Sequence, residues 1–342
     1  MKIAKLYSFN DIRIEDIPIP KVGPKEALLK TKASGICSGD VMPWYIENKA
    51  PLVIGHEPTG EIVDVGTDVK SFKTGDRVFV HHHAPCFTCR QCKRGDYVQC
   101  DTWRKTKIIP GGISEYILIP ATNLENDTLN LPDILSYEDG TLIEPIACVV
   151  KALKRAKIKH NDLVLIIGLG FMGILNGVVA RKYGAGRIFG TDRVPFRLQR
   201  ALELGFDDVI DISKTDSKKA LQNITEEFKA ADIVIVCPNS INALKDGLSL
   251  TGKGGSLVMF TPVKPDEQLR IDPNELYFRD ISIITSYSCG PTDTADALEL
   301  LEKGIINAER LITHRFPIEK TEEAFRLTAK AKDSLKSIIV FD

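Results

Sequence analysis

The sequence has no long apolar run and almost no net charge. None of its stretches approaches the roughly 20 apolar residues that cross a bilayer, and the first twenty residues, MKIAKLYSFNDIRIEDIPIP, show no apolar core of the kind that signal peptides have. A formal net charge of −1 over 342 residues gives no reason to expect nucleic acid or an anionic membrane surface as a partner. We therefore expect a cytoplasmic protein that binds neither of them.

Cysteine, in contrast, is concentrated in one short stretch, PCFTCRQCKRGDYVQC, at residues 85–100. It contains Cys86, Cys89, Cys92 and Cys100. Thiols stay reduced in the cytoplasm, so this cluster favours a metal site over disulfides. Four thiolates fill the tetrahedral shell of zinc and leave no open position, which predicts a structural zinc in a lobe at about residues 84–102. An iron–sulfur cluster is the alternative that the spacing leaves open.

The pattern of secondary structure changes after about residue 147. Before it, β-rich segments such as GEIVDVGTDVKSFKTGDRVFV are punctuated by glycine and proline. From residue 162 onward, short apolar segments alternate with helical stretches. The segments are DLVLIIG, RIFGTD, DDVIDI, ADIVIVC, GGSLVMF and DISIITSY. This alternation predicts an α/β protein with a doubly wound parallel sheet.

The first of these apolar segments runs into GLGFMG, which contains Gly168, Gly170 and Gly173, with Phe171 and Met172 between the last two. A G-x-G-x-x-G sequence that follows a strand and opens a helix is typical of a dinucleotide site. The glycines permit a tight turn, a close approach of the pyrophosphate and close packing of the helix on the strand. The helix N-terminus then faces the phosphates.

The end of the next strand segment, RIFGTD, carries Asp192, about 20 residues beyond the glycines. A carboxylate there binds the ribose 2′-hydroxyl of NAD and repels the 2′-phosphate of NADP. Arg193 and Arg197 are close by in sequence and are able to pair with that phosphate. The acid at the strand end favours NAD.

The stretch GHEPTGEIVDVGTDV, residues 55–69, fits the pattern G-H-E-x2-G-x5-G-x2-V. With ASGICSGD, TGDRV, the four-cysteine lobe and EPIACV, it resembles the zinc-containing medium-chain alcohol dehydrogenases, especially the polyol (sorbitol-type) and threonine dehydrogenase branches. The resemblance implies a GroES-like catalytic domain at 1–147, a Rossmann NAD-binding domain at 148–286 and a return to the catalytic domain at 287–342. It also implies a homodimer or homotetramer.

A catalytic zinc, the second of two per chain, follows from the same resemblance. Cys37 and His56 match the family's first two ligands, Glu57 matches the adjacent acid, and Glu144 matches a glutamate that binds the metal or its water in several branches. A thiolate, an imidazole and carboxylates suit zinc, and a catalytic site keeps one position open. Glu144 has a simpler interpretation as an acid in the first turn of a helix. Cys148, Cys237 and Cys289 match no metal position and are interpreted as packing residues.

The sequence departs from the family pattern at the residues that usually carry the substrate proton to solvent. The usual hydroxyl and histidine of the relay are replaced by Gly39 and Met42. The segment HHHAPC supplies His81, His82 and His83, and His83 stands where threonine dehydrogenases commonly have a histidine. Because histidine titrates near neutral pH, we expect His83 to accept the proton.

The function that the resemblance implies is oxidation of a secondary alcohol, with hydride transfer to NAD. The substrate that the resemblance implies is a polyol, a sugar derivative or a hydroxy amino acid. Two alternatives remain at this point. One is a reductase that runs the same chemistry backwards on a ketone or aldehyde, and the other is a non-catalytic NAD-binding relative.

Overall fold

A computed structural model describes residues 1–215 and 230–342 of the chain. The chain divides into two compact units. One consists of Met1–Ala147 and Cys289–Asp342, and the other of Cys148–Ser288. Among the helices of the described residues, none has both the length and the apolar character that a bilayer-crossing segment needs.

The N-terminal segment of the first unit consists mainly of short antiparallel strands, as its glycine- and proline-punctuated β-rich sequence predicts. The strands are β1 (Lys2–Ser8), β2 (Asp11–Asp16), β3 (Ala27–Gly35), β4 (Leu52–Val53), β5 (Glu57–Val65), β6 (Arg77–Val80), β7 (Tyr116–Ile119) and β8 (Thr128–Asn130). The helices are α1 (Pro43–Ile46), α2 (Arg90–Lys93), α3 (Asp101–Lys105), α4 (Ala121–Asn126) and α5 (Tyr137–Gly140). Helix α6 (Ile143–Ala156) contains the boundary between the two units.

The second unit is built on a six-stranded parallel sheet. Its strands are β9 (Leu163–Ile167), β10 (Arg187–Asp192), β11 (Asp208–Asp211), β12 (Ala231–Val236), β13 (Thr251–Met259) and β14 (Ser282–Thr285). The strands lie in the order β11-β10-β9-β12-β13-β14. The chain adds β10 and β11 on one side of β9 and then returns to add β12, β13 and β14 on its other side, which confirms the predicted doubly wound sheet. All five residues of β9 are buried, as expected for a strand covered on both faces. The described helices of this unit are α7 (Phe171–Lys182), α8 (Pro195–Glu203), α9 (Ile241–Leu250) and α10 (Pro273–Arg279).

The C-terminal segment completes the sheet of the first unit. It contains α11 (Pro291–Glu302), β15 (Ile312–Pro317), α12 (Thr321–Lys330) and β16 (Lys336–Val340). The larger sheet has the order β15-β16-β3-β5-β6-β8, with β7 also paired to β3, and a smaller sheet has the order β2-β1-β4. Strands β16, β3 and β5 are therefore neighbours, although β16 lies at the far end of the chain.

Candidate functional site

The four cysteines of the lobe come together as one group. Their ligand atoms all lie within 4.8 Å of one another. The Sγ atoms of Cys89 and Cys92 are 3.5 Å apart, and those of Cys86 and Cys100 are 3.6 Å apart. Zinc with sulfur ligands at about 2.3 Å in a tetrahedron holds the sulfurs about 3.8 Å apart. The residues therefore fit a structural zinc, with Trp103 and Val98 packed around the group.

A second group forms where β3 ends and β5 begins. Cys37 follows β3, while His56 and Glu57 stand at the start of β5. The register of the two strands pairs Gly35 with Glu57, which brings the three candidate ligands within 4.8 Å of one another. Glu57 is fully buried, and its Oε1 has no hydrogen-bond partner. A sulfur, a nitrogen and a buried carboxylate oxygen in this arrangement suit a zinc ion.

His56 is oriented by Asp40, which is not among the site residues predicted from the sequence. Its Nδ1 lies 3.1 Å from Oδ2 of Asp40, so that Nε2 is left as the ligand atom. Burial opposes the charged imidazole, but Asp40 and Cys37 together raise the pKa of His56 well above its ordinary value. Zinc binds the neutral imidazole, so zinc and a proton compete for this ring. The signal was available in the sequence, because the acid stands three residues after Cys37.

Lys336 of β16 is a second residue of the site that was not predicted from the sequence. Its side chain is 2% exposed and donates hydrogen bonds to Oε2 of Glu57 and to the carbonyl oxygen of Ile36, the latter at 3.0 Å. Burial raises the pKa of Glu57, and the charge of Lys336 opposes that rise. No local pattern links two residues so far apart in the chain, and only the sheet order shows the pairing.

The three consecutive histidines occupy different environments. The ring of His82, rather than that of His83, packs against His56, with centroids 4.8 Å apart. His83 lies beyond His82. Its ring centroid is 4.1 Å from that of His82 and 4.4 Å from that of Trp103. Its Nδ1 is hydrogen-bonded to the carbonyl oxygen of Thr106. Burial lowers the pKa of His83 to about 4, so the ring is a weaker base than an ordinary histidine that titrates near neutral pH.

Glu144 lies outside the 4.8 Å group of Cys37, His56 and Glu57, although its charge adds to burial in raising the pKa of Glu57. It stands in the first turn of α6 and forms a separate group with His81 and Cys289. Cys289, expected from the sequence to be a packing residue, therefore lies among possible metal ligands.

The glycine-rich turn has the geometry that a dinucleotide site needs. Gly168 adopts a φ of +85°, a conformation that residues with side chains rarely reach. A Cβ on Gly173 would meet the carbonyl oxygen of Gly168 at 1.9 Å, so α7 could not pack this closely on β9 with a larger residue. Gly170 caps α7 without a side-chain hydrogen bond, which leaves the helix N-terminus available to an anion. Between the glycines, Phe171 is buried and Met172 is partly exposed.

Asp192 is more constrained than the sequence suggested. One carboxylate oxygen accepts a hydrogen bond from the amide of Leu169 at 2.7 Å, and the other accepts from the amides of Arg193 and Val194. Arg197 Nη1 lies 3.7 Å from Asp192 Oδ2, and its Nε is buried without a partner. The guanidinium also lies 3.7 Å from the Cβ position of Gly170. Asp192 thus shapes the glycine turn, while Arg193 is exposed, and together these residues fit NAD.

Two protein families match the chain. The alcohol dehydrogenase GroES-like domain matches residues 23–133, and the zinc-binding dehydrogenase domain matches residues 172–303. The first match contains both the four-cysteine lobe and the group of Cys37, His56 and Glu57. The second begins within the glycine-rich turn and contains Asp192.

Similar proteins include several dehydrogenases. Sorbitol dehydrogenase from Bombyx mori is 34% identical over 346 residues, which cover 98% of this chain and 97% of that protein. Among solved structures, 2R,3R-butanediol dehydrogenase from Bacillus subtilis has a TM-score of 0.87 and 27% identity, covering 100% of this chain and 99% of that one. Galactitol-1-phosphate dehydrogenase from Escherichia coli has a TM-score of 0.87 and 25% identity, and all of both chains is covered. The similarity thus includes both units in each case.

Proposed function

Since the chain belongs to the zinc-containing medium-chain alcohol dehydrogenases, we propose that it oxidises a secondary hydroxyl group of a polyol and transfers the hydride to NAD. The group of Cys37, His56 and Glu57 is the single observation that carries this proposal. The relatives named sorbitol, butanediol and galactitol-1-phosphate dehydrogenase support a polyol, rather than a simple alcohol, as the substrate.

Within this proposal, each residue has a distinct task. Cys37, His56 and Glu57 hold the catalytic zinc, Asp40 orients His56, and the four cysteines hold a structural zinc. Zinc, when bound, acts as a Lewis acid that polarises the substrate hydroxyl group, and NAD accepts the hydride. We also retain residues 1–147 with 287–342 as the catalytic domain and 148–286 as the NAD-binding domain, which the division into two units supports.

A substrate panel tests this function. Sorbitol, xylitol, 2,3-butanediol, L-threonine and 2-propanol are offered with NAD and with NADP, before and after treatment with a zinc chelator. We expect NADH formation with at least one polyol, at a kcat/KM above that for 2-propanol, and its loss on chelation. Efficient oxidation of L-threonine alone would contradict the polyol assignment, and no activity in either direction would favour the non-catalytic alternative.

The charge of Asp192 should set the preference for NAD. Replacement by asparagine, unlike replacement by glycine, keeps one of the two oxygens that accept hydrogen bonds from the backbone amides of the turn. A hydrogen bond to a charged group is worth about 1.5–3 kcal/mol, so Asp192→Asn should lower the NAD-to-NADP ratio of kcat/KM by roughly 10-fold or more. Asp211→Asn, at the end of the neighbouring strand β11, is the control and should leave the ratio unchanged. An unchanged ratio in Asp192→Asn would show that this carboxylate does not select the cofactor.

We retain His83 as the proposed proton acceptor, with His82 as the ring between it and His56. General bases contribute about 10²- to 10⁴-fold, and with a pKa of about 4 His83 belongs at the low end. His83→Asn should therefore lower turnover by about 10²-fold, with zinc content and NAD affinity retained. His160→Asn is the control, because His160 is exposed in the other unit. Equal turnover in the two variants would remove His83 from the reaction.

Self-association is a further part of the proposal. The second unit exposes Tyr277 and Phe278 of α10, which are 79% and 75% accessible, and its sheet ends in the edge strand β14. Large exposed aromatic side chains mark interaction surfaces, which supports a homo-oligomer formed through this unit. The double variant Tyr277→Ser/Phe278→Ser should shift the mass measured by light scattering toward the monomer. A monomeric unmodified protein would contradict this part.

A further inference from the structure

His81, Glu144 and Cys289 come from three separate parts of the first unit. His81 follows β6, Glu144 is in the first turn of α6, and Cys289 stands just before α11. All three are buried, with exposed fractions of 0%, 5% and 0%. Their ligand atoms nevertheless lie within 4.8 Å of one another. Sγ of Cys289 also lies 3.8 Å from the backbone carbonyl oxygen of Glu144, so a thiol, an imidazole and a carboxyl group converge in one buried place.

The distances suit a metal ion. Nε2 of His81 and Sγ of Cys289 are 3.7 Å apart. Zinc binds nitrogen at about 2.0–2.1 Å and sulfur at about 2.3 Å, and a tetrahedral angle between them then separates the two atoms by about 3.6 Å. Nitrogen, sulfur and oxygen ligands together favour zinc over magnesium or calcium, which prefer oxygen alone.

A carboxylate orients His81 in the way that metal-binding histidines require. Nδ1 of His81 lies 2.6 Å from Oδ2 of Asp127, and Thr294 donates a hydrogen bond of 2.7 Å to the other oxygen of Asp127. The pairing with Asp127 fixes the ring, so that Nε2 faces Cys289. Nδ1 of His56 likewise lies near a carboxylate, 3.1 Å from Oδ2 of Asp40, although this contact is longer. A carboxylate therefore stands behind the Nδ1 atom of each of these two candidate ligand histidines.

We propose that His81, Glu144 and Cys289 bind a third zinc ion, separate from the catalytic and structural ions. The three protein ligands leave one tetrahedral position to a water molecule. On binding, the thiol of Cys289 loses its proton to solvent and coordinates as the thiolate. The proposal assigns Glu144 to this ion rather than to the catalytic zinc. It goes beyond the proposed function and does not depend on the substrate.

Zinc content per chain, measured by mass spectrometry of the desalted protein, tests this site. Cys289→Ser should lose about one zinc per chain relative to the unmodified protein, whereas Cys148→Ser, a cysteine outside every group, should lose none. Cys37→Ser should lose a different ion, so that the double variant Cys37→Ser/Cys289→Ser loses about two. If Cys289→Ser keeps the full zinc content, or if the double variant loses no more than Cys37→Ser, the proposed third site does not exist.

A milder variant keeps the test valid if Cys289→Ser fails to fold. Asp127→Asn leaves all three ligands in place but weakens the hold on His81. Losing such a partner typically costs about 10- to 100-fold in metal affinity. One zinc ion should therefore become removable at a correspondingly lower chelator concentration, while polyol oxidation, if the proposed function is right, persists. An unchanged chelator titration in Asp127→Asn would also overturn the proposal.

Discussion

Replacing Cys37 by serine should lower turnover by about 10³- to 10⁴-fold. The Lewis acid contributes several kcal/mol to stabilising the transition state, and each 1.36 kcal/mol is a factor of about ten in rate. Because Cys37 supplies the sulfur of the Cys37, His56 and Glu57 group, serine should release the catalytic zinc. Steady-state turnover on the best polyol, together with zinc content, measures the effect.

Cys89→Ser is the matched control for this variant. It removes one sulfur of the four-cysteine group, where metal binding contributes directly to folding. We expect it to lower the unfolding temperature, whereas Cys37→Ser should leave that temperature nearly unchanged. Turnover per folded, zinc-loaded molecule should stay close to normal in Cys89→Ser. The reverse pattern, with Cys89→Ser inactive but stable, would show that the two metal roles have been exchanged.

In the zinc-free protein, replacing Lys336 by methionine should destabilise the first unit by about 3–5 kcal/mol, since removal of one partner leaves the buried Glu57 charge uncompensated. Both side chains of the Lys336–Glu57 pair are almost inaccessible. Burial already raises the pKa of Glu57, and loss of the lysine charge raises it further. The folded state then binds a proton that the unfolded state releases, so stability should fall as the pH rises above the ordinary glutamate pKa of 4.5. Urea unfolding of the chelator-treated protein at pH 5 and pH 8 should show the larger loss at pH 8.

Two further variants separate this effect from the loss of a lysine as such. Lys303→Met removes an exposed partner of Glu299 and should cost at most about 0.5 kcal/mol. The double variant Glu57→Gln/Lys336→Met should recover much of the lost stability, because no unpaired charge remains. An equal cost for Lys303→Met and Lys336→Met would contradict the role given to the buried pair.

The elements that depend on local pattern were predictable from the sequence. The six apolar segments after residue 162 are confirmed as the strands of the doubly wound sheet. Burial on both faces gives the central strands β9 and β12 a nearly continuous apolar run, whereas the edge strands β11 and β14 are only partly buried. The family was recognisable because its metal and glycine motifs are short and contiguous. The four-cysteine group was predictable because its members lie within 15 residues of chain, counted from Cys86 to Cys100.

The residues that the sequence did not reveal depend on long-range contacts. Lys336 contacts Glu57 because β16 and β5 lie on either side of β3. The residues around position 336 give no indication of this contact. Cys289 joins His81 only when α11 and β6 have been placed in the same unit. The environments of His83 and Asp192 were also not predictable from the sequence. Burial makes His83 a weak base, and backbone amides donate hydrogen bonds to both carboxylate oxygens of Asp192. Such properties follow from tertiary packing rather than from residue type.

The central claim is that Cys37, His56 and Glu57 bind the zinc ion at which the alcohol reacts. Anomalous diffraction from crystals of the active protein, recorded on both sides of the zinc absorption edge, locates each zinc ion directly. We predict a peak about 2.3 Å from Sγ of Cys37 and about 2.0–2.1 Å from Nε2 of His56, together with a second peak inside the four-cysteine group. Fully active crystals without a peak between Cys37 and His56 would contradict the account.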